Sequence, residues 1–140
     1  MRTRALLDSN VFIFGFERRR SNSHRILENL ASGQIQGIVT DRIVREVIRY
    51  LRRYYGKDLA ARFRDFILLT CELVLEQDLR ISREFVDLVG AKDAGALAAA
   101  REIGLARIVT TDSDFSKVRE RRTPRDFLIE LKETARPGVE

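Results

Sequence analysis

Ala5-Leu6-Leu7-Asp8-Ser9-Asn10-Val11-Phe12-Ile13 is a short apolar run that breaks at three polar residues and then resumes. A run of this length that starts almost at the N-terminus and stops at an acid reads as a buried strand with a carboxylate at its carboxyl end. In open α/β sheets ligands bind in the crevice outside the carboxyl ends of the strands, which makes Asp8 a candidate site residue before any other position is considered. The question for the rest of the chain is whether other segments bring matching acids to the same edge.

Downstream, residues 11–16 continue as one or two helical turns and end in the charged cluster Glu17-Arg18-Arg19-Arg20. Ser21-Asn22-Ser23 supplies cap chemistry for a helix carrying Ile26, Leu27 and Leu30, which Gly33 stops. Residues 37–40 read as a second strand. Asp41 is the expected N-cap of a helix in which Ile43, Val44, Val47, Ile48, Leu51 and Tyr55 recur at helical spacing as far as Gly56. A helix over 57–70, a strand over 71–75 and a short helix through Ile81, Phe85, Leu88 and Val89 follow. An alanine-rich helix over 93–103 and a strand over 106–110 come next. Residues 117–122 hold a weak edge strand, Thr123-Pro124 opens a last helix, and the tail from Ala135 is expected to fray.

Strands alternating with helices imply a three-layer α/β/α sandwich around a mainly parallel sheet of four to five strands, because a parallel crossover needs a helix-length connection. No repeat, low-complexity tract or linker divides the chain, so residues 1–134 are read as a single domain.

The chain has 140 residues, 44% of them hydrophobic and 34% charged, enough apolar material for one core without staples. Its net charge of +5 favours a polyanionic partner, with nucleic acid the obvious candidate. Cys71 is the one cysteine and His24 the one histidine, which excludes an intrachain disulfide and any thiolate- or imidazole-rich metal site. A bound metal would have to be held by oxygen. Cys71 reads as a small buried hydrophobe and His24 as a surface residue. The apolar residues after Arg2 and Arg4 are too soon interrupted for a signal peptide, and no run approaches membrane-spanning length, so a cytoplasmic protein is expected.

Acids recur at comparable positions: Asp8 after the first strand, Asp112 and Asp114 after the fourth, and Asp93 at the start of a helix. If the first and fourth strands are neighbours, their aspartates meet. Each acid also has an ordinary reading, as a strand-end turn residue for Asp8 and Asp112 and as a cap for Asp93 and Asp114. Asp93, however, shares a helix face with Leu97, Ala100 and Gly104, a narrow side suited to packing on a sheet. Glu46 falls off the apolar stripe of its helix, beside Tyr50, where a solvated glutamate is the reading from the wheel alone.

Leu7-Asp8-Ser9-Asn10-Val11, Val44-Arg45-Glu46-Val47, Lys92-Asp93-Ala94 and Val109-Thr110-Thr111-Asp112-Ser113-Asp114-Phe115, in this order, resemble the motifs of the PIN-domain family of metal-dependent ribonucleases, VapC-type toxins among them. The resemblance covers nearly the whole chain and departs from the commonest first motif only in having Ser9 where threonine is frequent. It implies a PIN-like fold in which Asp8, Glu46, Asp93 and Asp112 surround Mg²⁺ or Mn²⁺, with Asp114 an additional acid in some members. Asn10 and Thr110 would be hydrogen-bonding supports. It also implies RNA cleavage by metal-activated water to leave 5′-phosphate and 3′-hydroxyl ends, and for small members a toxin held inactive by an antitoxin and often dimeric. The chemistry agrees: hard divalent cations prefer carboxylate oxygens, and converging carboxylates repel one another without a cation.

Arg49, Arg52 and Arg53, with Tyr50, Tyr54 and Tyr55, offer a surface for RNA or a protein partner, the alternative being a solvated helix end with tyrosines partly in the core. Arg18, Arg19 and Arg20 either rim the site or form a plain charge run. Three rivals to the toxin reading stand beside it: a housekeeping RNA-processing nuclease, a catalytically silent RNA- or protein-binding module, and a phosphatase using Asp8 as nucleophile. The last is disfavoured because Asp8-Ser9-Asn10 lacks an aspartate two residues on.

Overall fold

The computed structural model describes residues 2–137 and Glu140. Five strands, β1 (Thr3–Leu7), β2 (Ile35–Thr40), β3 (Cys71–Val74), β4 (Ile108–Val109) and β5 (Arg121–Arg122), form one sheet in the order β3-β2-β1-β4-β5, with every pairing parallel. Among the described residues the helices are α1 (Ser9–Glu17), α2 (Asn22–Ser32), α3 (Asp41–Tyr55), α4 (Lys57–Thr70), α5 (Arg83–Val89), α6 (Ala94–Ile103) and α7 (Pro124–Glu130). The architecture is the α/β/α sandwich expected from the alternation of strands and helices.

The central strands read as continuous apolar runs because helices cover both faces. Ala5, Leu6, Leu7, Ile108 and Val109 are wholly buried. From β1 the chain moves outward through β2 to β3, then returns past β1 to β4. Since parallel crossovers are right-handed, the reversal puts α5 and α6 on the face opposite α1 to α4. α7 packs on α2 and so joins the first layer. Every residue of α6 from Ala94 to Ala100 is buried, and its small side chains let it lie close to the sheet. The reversal makes β1 and β4 neighbours, with Leu6 opposite Ile108 and Leu7 opposite Val109. A crevice therefore opens beyond their carboxyl ends.

Some local expectations change. The N-cap of α3 is Thr40, not Asp41: Thr40 has extended backbone and its Oγ1 accepts from Ile43 N at 3.3 Å. Asp41 instead accepts from Glu76 N at 2.9 Å and pairs with Arg45 at 2.8 Å. β4 is two residues long, shorter than the strand expected over 106–110; past Val109 it has no partner on β1, which itself ends at Leu7. His24 is not a free surface residue; its Nδ1 lies 2.8 Å from the Gly15 carbonyl and ties α2 to α1. Of the tail expected to fray, Gly138 and Val139 lie outside the described residues, whereas Arg136 and Glu140 dock on the first turn of α2. Asn22 Nδ2 donates to the Arg136 carbonyl at 3.1 Å, and the Glu140 carboxylate accepts from Asn22 N at 2.7 Å and Ser23 N at 2.9 Å. The free amides of a helix start hold a carboxylate well. No helix among the described residues is long and apolar enough to cross a membrane.

Candidate metal centre

Asp8 leaves β1 and caps α1, its Oδ1 accepting from Ser9 N at 2.8 Å. Its other oxygen, Oδ2, accepts from Thr110 Oγ1 at 2.8 Å and from Asn10 Nδ2 at 3.3 Å. Thr110 is wholly buried, and its Oγ1 in turn accepts from Asp112 N at 3.0 Å. Asn10 closes the frame by accepting from Thr111 N at 3.3 Å. Asn10 and Thr110 thus brace the carboxylate of one strand against the end of the next.

Asp112 caps the one-turn 3-10 helix Ser113–Phe115, its Oδ1 accepting from Asp114 N at 2.9 Å. Asp93 precedes α6 but makes no side-chain cap bond, and it is only 7% exposed. The cap reading of Asp93 therefore fails. Among the described residues its carboxylate accepts no hydrogen bond, and its oxygens stay open to the crevice and are not sealed in the core. One oxygen from each of Asp8, Asp93 and Asp112 lies within 4.8 Å of the others.

This crowding is visible in proton affinity. Burial, followed by the charges of Asp8 and Asp112, pushes Asp93 up to about 7, with Lys92 opposing. Asp8 is likewise raised, by burial first and by Glu46 and Asp112 more weakly, against the hydrogen bonds from Thr110 and Ser9. All the donors are carboxylate oxygens, no imidazole or thiolate among them, a set suited to a hard divalent cation.

Glu46 stands beside the three aspartates, outside their cluster. Its Oε2 accepts from Ser9 Oγ at 3.3 Å and lies 3.6 Å from Lys92 Nζ, while Oε1 lies 3.5 Å from Arg42. At 24% side-chain exposure it is half-buried at the mouth of the crevice and not the solvated glutamate read from the helix wheel. Asp114 is exposed and stays out of the cluster. Arg18, Arg19 and Arg20 do not rim the crevice. Asp8 and Arg18 cap opposite ends of α1, ten residues or about 15 Å of helix apart.

The hydroxyls of Tyr50 and Tyr55 both donate to Glu17 Oε2 at 2.8 Å, pinning the end of α1 to α3, while Tyr54 and Tyr55 stay exposed. Arg49, Arg52 and Arg53 remain exposed. Two neighbours of the site escaped the sequence reading. Lys92 is hidden in an ordinary Lys-Asp pair. Glu76, in a stretch without periodicity, receives the Thr40 hydroxyl at 2.7 Å and lies against Gly95 at the start of α6.

A family model described as PIN domain matches residues 4–114, which include every acid of this site. Among solved structures, VapBC2 from Rickettsia felis, bound to a DNA fragment from its promoter, superposes with a TM-score of 0.65 at 14% identity, covering 86% of this chain and 98% of that one. A toxin–antitoxin complex from Klebsiella pneumoniae gives 0.61 at 22% identity, with 86% and 97% covered. Mycobacterium tuberculosis VapC20, a sarcin–ricin loop cleaving toxin, gives 0.55 at 15% identity, with 81% and 93% covered. No curated protein matches the sequence.

Proposed function

The chain belongs to the PIN-domain family, and from that premise we propose that it is a ribonuclease dependent on Mg²⁺ or Mn²⁺, the toxin of a toxin–antitoxin pair. The observation that carries the reading is the convergence of three carboxylates, two of them buried, none of which forms an ion pair among the described residues. Asp8, Asp93 and Asp112 would hold the cation, and Glu46 would complete the donor set from α3. Asp114 would serve only as an outlying acid.

When bound, a divalent cation supplies charge neutralisation at a phosphate and makes water a better nucleophile. The chain's own residues do the rest. Thr110 and Asn10 fix the Asp8 carboxylate, so that no reorganisation is needed when substrate arrives. Ser9 Oγ and Lys92 Nζ hold Glu46 at the mouth, where its carboxylate would orient the attacking water and take a proton from it. Water adds to phosphorus and gives a proton to Glu46, the bond to the 3′ oxygen breaks, and that oxygen takes a proton from solvent as it leaves, giving 5′-phosphate and 3′-hydroxyl ends.

The toxin role and the antitoxin partner draw support from the structural neighbours, two of which are toxin–antitoxin assemblies. A cytoplasmic homodimer belongs to the same reading.

Incubating single-stranded and structured RNAs with Mg²⁺, Mn²⁺ or EDTA tests the proposal. Cleavage with either metal, its loss in EDTA and its loss in Asp93→Asn are expected. Cleavage that persists in EDTA would sink the reading. Growth arrest on induction that Asp93→Asn relieves is the expected sign of a toxin; no arrest points to an RNA-processing enzyme.

A further inference from the structure

Across the exposed side of α3 from the acidic crevice, α3 and α4 border an open cleft of about 750 Å³, floored by Val44 and Ile48 and walled by Arg45, Arg49, Arg52, Arg53 and Arg64. Two of these arginines are satisfied within the chain, Arg45 by Asp41 and Arg64 by Asp65. Among the described residues no carboxylate lies within ion-pair distance of Arg49, Arg52 or Arg53. Three unneutralised guanidinium groups on two helical turns repel one another. The arrangement is stable only as an exposed surface, which it is, or against an anion.

Its position relative to the acids is fixed by the helix. At about 100° and 1.5 Å per residue, Arg49 and Arg53 lie within roughly 60° of Glu46 and about 4.5 and 10.5 Å further along the axis, Arg52 lies about 120° round, and the cleft floor at Val44 and Ile48 about 160° round. The exposed side of α3 is therefore basic from its crevice-facing edge, where Glu46 meets Ser9, round to the cleft.

We infer that this cleft is a nucleotide subsite: a single-stranded RNA leaving the acidic crevice passes round the exposed side of α3, sets its phosphates on Arg49, Arg52 and Arg53, and lays a base on Val44 and Ile48. The inference rests on the nuclease reading and names the path of its substrate. Guanidinium groups match phosphate oxygens in geometry and charge, and a cleft of this volume suits one or two nucleotides. The apolar floor argues for a strand whose bases are free of a duplex, since paired bases turn their faces away from the protein.

Binding is measured by fluorescence anisotropy with a labelled 12-nucleotide single-stranded RNA in EDTA, so that no cleavage is needed. The variant Arg49→Gln/Arg52→Gln/Arg53→Gln is compared with Arg80→Gln/Arg119→Gln/Arg125→Gln, which removes the same charge from other exposed positions. Expected is a loss of at least tenfold in affinity for the cleft variant. The slope of log affinity against log salt should fall by about 2, from roughly 0.7 for each phosphate contact on a single strand. The control variant should lose less than threefold. Single substitutions should each lower the slope by about 0.7 and keep the thermal midpoint of the wild type.

Equal losses in the two triple variants would overturn the subsite, since the effect would then be net charge alone. So would unchanged RNA binding, and so would a cleft variant that keeps RNA but releases a labelled polyglutamate peptide, which would assign the cleft to an acidic protein partner. Because the assay runs without metal, its failure leaves the nuclease reading standing, and failure of the cleavage assay leaves the cleft standing.

Discussion

Gly95 turns its bare Cα toward the carboxylate of Glu76, and a Cβ placed there would overlap Glu76 Oε1. Glu76 cannot simply swing away, because Thr40 Oγ1 donates to its Oε2 at 2.7 Å and its own amide is held by Asp41. This contact joins the end of β2 to the first turn of α6, two residues after Asp93. In an ordinary helix Gly→Ala stabilises by roughly 0.5–1 kcal/mol. Here Gly95→Ala is expected to destabilise by about 1–3 kcal/mol, the usual result of overpacking. In a Glu76→Ala background the same substitution should become neutral or stabilising. Denaturant unfolding of the four proteins measures the coupling, and equal effects of Gly95→Ala in both backgrounds would refute it.

Asp93 titrates near 7 in the folded chain, against 3.8 ordinarily. The folded state thus binds its proton more tightly than the unfolded state, so this group's stabilising contribution is complete below about pH 4 and is lost as pH rises through 7. Asp8 acts in the same direction. The metal-free protein is expected to melt at lower temperature at pH 8 than at pH 5. Asp93→Asn should recover about 1–3 kcal/mol at pH 8 and little at pH 4, read as the thermal midpoint in EDTA. A midpoint that falls at pH 8 in Asp93→Asn would argue against crowded charge.

If the cluster holds a divalent cation, Mn²⁺ at a hundred times its dissociation constant should stabilise the wild type by about 2.7 kcal/mol at pH 8. Asp8→Asn and Asp112→Asn should lose most of that increment. Calorimetric unfolding with and without the ion separates this effect from catalysis, and an undiminished increment in both variants would place the ion elsewhere.

Thr110 Oγ1 donates to Asp8 and accepts from Asp112 N and from Asn10 Nδ2. Thr110→Val keeps the shape and removes all three bonds. The expected cost is about 1–2 kcal/mol of stability and a 10- to 100-fold loss in Mn²⁺ affinity by titration calorimetry, the range seen when a ligand's supporting hydrogen bond is removed. An unchanged affinity would reduce Thr110 to a packing residue.

Arg101 grips the Glu120 carboxylate at 3.0 and 3.3 Å and ties α6 to the residue before β5. Though burial opposes it, that guanidinium holds Glu120 below the usual carboxylate range. Its contribution is therefore present above about pH 4.5 and lost as pH falls. Glu120→Gln should cost about 1–2 kcal/mol at pH 7, since Arg101 is partly exposed, and close to nothing at pH 3. Chemical denaturation at the two pH values checks the difference.

The sequence by itself determined the kinds of element and their order. An apolar run, an amphipathic period or a Ser, Thr or Gly at an end is a local signal, and burial on one face imposes it on neighbouring residues of the chain. It also marked Asp8, Asp93 and Asp112, because each closes or opens an element. The tertiary structure decided that β1 and β4 are neighbours, that Glu46 turns to Ser9, that Tyr50 and Tyr55 bind Glu17, and that Glu76 fills the space Gly95 leaves. Each of these joins residues 33 or more positions apart, or 19 in the case of Glu76 and Gly95. Such pairings depend on how strands are ordered and which face a helix covers, and a one-dimensional pattern of apolar and polar residues holds no record of either.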